Sequence, residues 1–217
     1  VPAILIFAAT YVVMAVGRLP GYRMDRAGAA LLGASLMVAF GVLTPDEAYA
    51  AVDMETIAPL LGMMIVVANL RLSGFFRLVI RFAIARAGHP LMLLAAVVIL
   101  SGVLSAFLVN DAICLVMTPL VLDLVTRLKR DPVPYLLAVA MASNAGSVAT
   151  ITGNPQNMII GSLSHIPYAA FAFALSPIAV VSLVIAFCLI AVSHREEFFR
   201  SGRFAVEADS GAVVYHR

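Results

Sequence analysis

Two short polar stretches interrupt an otherwise apolar chain, and their residue types suit the binding of ions and oxyacids. One is Asn110-Asp111; the other runs Ser143-Asn144-Ala145-Gly146-Ser147-Val148-Ala149-Thr150-Ile151-Thr152-Gly153-Asn154-Pro155-Gln156-Asn157. Asn154-Pro155 reads as a helix start, since Asn is a favoured N-cap and Pro a favoured first helical residue. Asn110-Asp111 repeats the idea as a cap, with a helix from Ala112 onward. Each start presents free N–H groups and a partial positive charge, while unwound carbonyls supply oxygen ligands. Two such starts meeting at membrane depth form a site for a small anion or neutral oxyacid together with a cation. Asp111 is the one acid well inside apolar sequence, where an unpaired carboxylate is costly. Its expected role is to be neutralised by a proton or Na⁺ during a transport cycle, against the plainer alternative of a cap that serves only its own helix.

Asn144, Asn154, Gln156 and Asn157 are candidates either for the site or for polar glue between helices. Gly146 and Gly153 read as break points, and Thr118-Pro119 as a kink. Asp123 is one turn from Arg127, its expected partner. His89 and His165 stand at segment ends, where a solvated role is expected. Cys114 and Cys188 lie inside apolar runs and read as packing residues, so no disulfide scaffold or zinc site is implied. The sequence has no intramembrane metal motif, Ser/Lys or Ser/His pair, or Asp dyad. The expectations are therefore no catalytic residues, no metal site, no cofactor, no enzyme activity and no nucleic-acid partner.

The elements that must position these groups follow from composition and charge. Of 217 residues, 63% are hydrophobic and 12% charged, about half the charge of an ordinary soluble domain. Mean hydropathy is +1.04. Long apolar runs without alternation favour membrane helices over a β-barrel. Residues 3–17, 27–43 and 56–70 contain no Asp, Glu, Lys or Arg and read as three spans within 1–70. Residues 71–88 place Arg71, Arg77, Arg81 and Arg86 within about half of a helical wheel, as expected of an amphipathic helix in the interface plane. Residues 89–131 read as a re-entrant hairpin broken at Asn110-Asp111. Residues 132–165 read as a transmembrane helix interrupted at membrane depth, because the apolar flank 133–142 makes only about 15 Å of helix. A last span occupies 166–193, and 194–217 is a linker or tail.

Charge parity fixes the hairpin. With it, all 14 basic residues fall on one side, so segments 18–26, 71–88, 127–131 and 194–217 are expected to be cytoplasmic. The expected fold class is an all-α integral membrane protein: a helical bundle with an interfacial helix, a re-entrant hairpin and one discontinuous transmembrane helix. The first residue is Val1, which suggests a piece of a longer polypeptide.

The segment Ser105-Ala106-Phe107-Leu108-Val109-Asn110-Asp111, followed by Thr118-Pro119 and then by the stretch from Ser143 to Asn157, resembles the ion transporter superfamily. That superfamily includes arsenite permeases, citrate and dicarboxylate transporters and some Na⁺/H⁺ antiporters. The resemblance covers about residues 1–200 and implies the first of two inverted repeats, with the second repeat missing from this chain. It places Asn110, Asp111, Asn144, Gly146, Thr152, Gly153 and Asn154 at the substrate and ion site, with Asn157 beside them and Asn110, Asp111 and Asn144 as possible Na⁺ ligands. The tip Val109-Asn110-Asp111 looks like the arsenite permease pattern; sodium-coupled dicarboxylate carriers tend to show Ser-Asn-Thr there. The function implied is secondary active transport of a small anion or oxyacid, arsenite/antimonite or a citrate-like carboxylate, coupled to H⁺ or Na⁺ by alternating access. An aquaporin-like channel and a Na⁺/H⁺ antiporter are the alternatives. The expected setting is a bacterial or archaeal plasma membrane, with the lipid bilayer, the second repeat and a possible homodimer as partners.

Overall fold

The computed structural model describes residues 2–17, 25–84 and 89–199, without the side chains of 82–84. The expectations for Arg18, Arg23, Arg86 and the tail from 200 lie outside the described residues. Within them the chain is helical, with no strand.

It divides into two units, residues 1–54 and 55–217. In the first, α1 (Pro2–Val16) packs on α2 (Arg26–Ala39). Gly33 permits the approach, because a Cβ there would sit 2.8 Å from Thr10 Cγ2. Asp25 caps α2 by accepting from the Gly28 amide at 2.7 Å. These two apolar helices have 15 and 14 residues, about 20 Å each. A short α3 (Pro45–Ala50) starts from a capping box between Thr44 and Glu47.

Among the described residues, three helices are long and apolar enough to cross a membrane: α4 (Met54–Leu72), whose body from Glu55 belongs to the second unit, α6 (Pro90–Phe107) and α10 (Tyr168–Ser193). Between α4 and α6 lies α5 (Phe75–Ile84). Arg71 belongs to the last turn of α4 rather than to an interfacial helix from 71, since the chain turns at Gly74, whose φ is +78°. Only glycine takes that backbone without strain. α5 buries Phe76 and Ile80 and exposes Arg77 and Arg81.

α6 and α7 (Asn110–Arg127) form a helical hairpin, and α8 (Pro132–Ser147) packs along both arms, most extensively on α6. The core they share includes Leu93, Val97, Met117, Val121, Tyr135 and Val139. α7 ends in a Schellman turn: Lys129 donates to the Thr126 carbonyl and Arg130 to that of Val125, with Lys129 at φ +52°. Beyond α8 the helix is broken over 148–154, with a 3₁₀ turn at Ile151–Gly153, and resumes as α9 (Pro155–Ser164) before α10 and the short α11 (Arg195–Phe199). Asp123 and Arg127 pair at 3.0 Å on the exposed face of α7. Cys188 is exposed on α10 rather than packed, whereas Cys114 is partly buried.

Candidate functional site

The hairpin tip and the helix break are adjacent, tied by contacts to α8. At the tip, Leu108 and Val109 are extended, and α7 begins at Asn110 with Val109 as its N-cap and no side-chain cap. Asn110-Asp111 is therefore not the cap that its composition suggests; Asn110 is the first helical residue. Its amide nitrogen donates to Asn144 Oδ1 at 3.1 Å, while Asn144 Nδ2 donates to the Ala140 carbonyl at 2.9 Å. This relay assigns both amide orientations. It also leaves Asn110 Oδ1 buried with no hydrogen-bond partner among the described residues, on a residue only 8% exposed. A buried acceptor left unpaired costs roughly 1–3 kcal/mol.

Below this pair, Cys114 Sγ meets Ser143 Oγ at 2.8 Å. On the other arm Ser105 donates to the Ser143 carbonyl, and Thr150 from the break donates to the Ala106 carbonyl at the end of α6. Gly146 is helical and buried against Gly102 of α6; a Cβ on it would lie 2.5 Å from Gly102 Cα. Its role in this half is close backbone approach, which differs from a flexible break.

The break closes on itself. Asn154 caps α9 by accepting from the Asn157 amide at 2.8 Å, and its Nδ2 donates to Ser147 Oγ at 3.1 Å. Ser147 Oγ in turn donates to the Asn144 carbonyl at 2.8 Å, linking the break to the Asn110–Asn144 pair. Asn157 Nδ2 donates to three carbonyls, Ser147 and Val148 at 3.3 Å and Thr150 at 2.9 Å. These are oxygens near or within the interruption, and one buried amide gathers them. Gly153 packs on the end of α8, where a Cβ would be 2.8 Å from Ser147 Cα. Thr152 reaches Thr150 Oγ1 at 3.3 Å and Tyr168 Oη at 3.2 Å.

The eight sequence-selected residues thus divide. Asn154, Asn157, Gly146 and Gly153 hold the frame, with their polar atoms or backbone engaged inside it. Asn110, Asp111 and Asn144 surround the open end of α7: Asn110 is buried, and Asp111 and Asn144 are exposed. Asp111 sits in the first turn of α7. Thr152 is intermediate. The two helix starts are not equivalent, because α9 is capped by Asn154 and α7 is not. Ser105, Ser147 and Thr150 lie in the quoted stretches but are not singled out by sequence reasoning; Ser105 and Thr150 find their acceptors, the carbonyls of 143 and 106, only once α6, α8 and the break pack together, and Ser147 finds that of 144 one turn back. Among the described residues no group of His, Cys, Asp and Glu is arranged to hold a metal ion.

Residues 6–204 match the profile of the citrate transporter family CitMHS. The chain is 36% identical to the silicon efflux transporter LSI3 of Oryza sativa over 158 residues, 73% of this chain and 33% of that protein. It is 34% identical over 219 residues to an uncharacterized transporter of Mycobacterium tuberculosis, 99% of this chain and 48% of the relative. It is 29% identical over 166 residues to the putative transporter arsB of Dictyostelium discoideum, 76% of this chain and 29% of the relative. The chain spans between about a third and a half of the length of these curated relatives. With three helices long and apolar enough to span, it is an integral membrane protein, and it belongs to the CitMHS citrate transporter family of the ion transporter superfamily, a family of membrane transporters and not of enzymes.

Proposed function

We propose that this chain is the first of two inverted repeats of a secondary active transporter. The transporter carries a small anion or oxyacid, arsenite/antimonite or a citrate-like carboxylate, by alternating access coupled to H⁺ or Na⁺. The observation that carries this reading is the orphaned, buried Asn110 Oδ1 beside the uncapped first turn of α7. The amides attract an oxyanion; the Asn110 oxygen, the Asp111 carboxylate and the Asn144 side chain supply ligands for a cation or a proton. The broken segment supports them as a frame, since the carbonyls of Ser147, Val148 and Thr150 are already gathered by Asn157. A second repeat of the same polypeptide would complete the site, and the segments 18–26, 71–88, 127–131 and 194–217 would face the cytoplasm of a bacterial or archaeal plasma membrane.

The test uses the full-length protein in sealed vesicles. Uptake and efflux of arsenite, citrate and succinate are measured under imposed proton and sodium gradients. Saturable flux of one of these, driven by one gradient, is the expected result, with Asp111→Asn uncoupling it from the ion. Unsaturable flux, or unchanged ion coupling in Asp111→Asn, contradicts the proposal.

A further inference from the structure

We infer that α5 carries a surface for anionic phospholipid headgroups, formed by Arg77 and Arg81 with Leu78 between them. The inner side of this helix is fixed: Phe76 and Ile80 are 2% and 8% exposed, and Ile80 faces a small cavity with Leu93 of α6 and Val121 and Leu124 of α7. Those residues belong to the base of the hairpin, the end at which Arg127, Lys129 and Arg130 also lie. α5 is thereby held against the hairpin's basic end, and its outer side presents Arg77, Leu78 and Arg81.

The charges on that outer side lack counterions of their own. Arg77 and Arg81 are one helical turn apart, a spacing at which like charges repel. Neither pairs with an acid among the described residues, and the sequence from 56 to 110 contains no Asp or Glu. Arginines at the hairpin base differ, since Arg127 meets Asp123 at 3.0 Å and Arg130 meets Glu197 at 3.8 Å. An anion bound across Arg77 and Arg81 would relieve the repulsion, and guanidinium groups match phosphate oxygens in bidentate geometry.

The neighbouring apolar group decides which phosphate. Leu78 is 64% exposed between the two arginines. Water favours the arginines and disfavours the leucine; hydrocarbon does the reverse. Only the headgroup boundary of a bilayer accommodates both, with the arginine stems lying along acyl chains and their heads at the phosphates. A free phosphate in solution would leave Leu78 unsatisfied. Two basic residues near an anionic leaflet strengthen association on the order of tenfold or more, and because α5 is packed on the hairpin, the bound lipid braces α6 and α7.

The full-length protein in nanodiscs of phosphatidylcholine containing graded phosphatidylglycerol provides the test, read by thermal melting and by quenching from labelled phosphatidylglycerol. The expected result is a melting temperature that rises with phosphatidylglycerol, an effect that shrinks at high salt. In Arg77→Gln/Arg81→Gln the half-saturating fraction should rise about tenfold. Arg127→Gln, at a paired arginine, should behave as wild type, and Arg77→Lys/Arg81→Lys, which keeps the charge without the bidentate fork, should fall between wild type and the double Gln variant. Equal phosphatidylglycerol dependence in the double Gln variant and wild type would overturn the inference. So would a flat wild-type response, or soluble glycerol phosphate reproducing the effect.

Discussion

Replacing Gly146 with alanine sets one methyl group against a backbone that has nowhere to go. The new Cβ would lie 2.5 Å from Gly102 Cα and 2.6 Å from its carbonyl carbon, whereas ordinary contact begins at 3.4 Å. Both obstructing atoms are main chain, so no rotamer relieves them, and α6 and α8 must part by about 1 Å. Overpacking of this kind costs roughly 2–3 kcal/mol, a fall in melting temperature of roughly 5 °C or more at about 2–4 °C per kcal/mol. The site suffers as well, because Asn144 stands two residues away. Stretching the Asn110–Asn144 bond from 3.1 Å by about 1 Å takes it out of hydrogen-bond range. Transport should therefore drop by about tenfold or more, as misplacements near 1 Å do elsewhere. Gly62→Ala is the internal control, since nothing lies within 4 Å of a Cβ at that position in α4; it should hold or gain up to about 1 kcal/mol from helix propensity. Melting of both purified full-length variants, with vesicle flux, decides the matter. Gly146→Ala melting within a degree of Gly62→Ala, with wild-type flux, would refute the reasoning.

Other consequences follow from single positions. Asn157→Leu removes the donor shared by the carbonyls of Ser147, Val148 and Thr150, so the protein should lose about 2 kcal/mol or more in a denaturation series, together with its transport. Lys129→Gly relieves a left-handed residue at the end of α7 and should stabilise by about 1 kcal/mol with flux unchanged. Glu47 accepts from the Thr44 amide and hydroxyl, which lowers its pKa below 4.5. Its contribution to the start of α3 is therefore present above about pH 4.5 and lost as pH falls through the lowered value. Exchange of the Thr44 amide, which donates to the Glu47 carboxylate at 2.8 Å, corrected for intrinsic rates, should rise as pH falls through that window in wild type and show no such step in Glu47→Gln.

What the sequence revealed was local chemistry. Asn154-Pro155 is legible because capping and a proline at the first helical position depend on a few adjacent residues. Charge and apolar runs likewise expose the all-α membrane class and the pairing of Asp123 with Arg127. Ser143 and Asn144 mislead, since polar residues there suggest that the break has begun, yet both remain helical. The reason is that Ser143 Oγ and Asn144 Nδ2 bond back to the Ala140 carbonyl at 3.2 and 2.9 Å, which satisfies them inside the helix. Asn110 misleads for the opposite reason. Its amide turns to a residue 34 positions away, so the cap expected from its type is absent. Gly146 as a contact point needs Gly102 beside it, and the strap made by Asn157 needs three carbonyls created by the break itself. Such relations arise only when distant segments pack, and no spacing rule encodes them.

Asn110→Leu separates the site from the scaffold most directly. The substitution deletes an oxygen that has no partner among the described residues and a hydrogen bond to the exposed Asn144. If that oxygen is retained for a translocated ion or solute, the full-length variant should melt within about 1 kcal/mol of wild type, or above it, because an unpaired buried acceptor is gone. Gradient-driven flux in vesicles should meanwhile fall at least about tenfold. Wild-type flux in a normally folded Asn110→Leu protein would contradict a binding role for the hairpin tip.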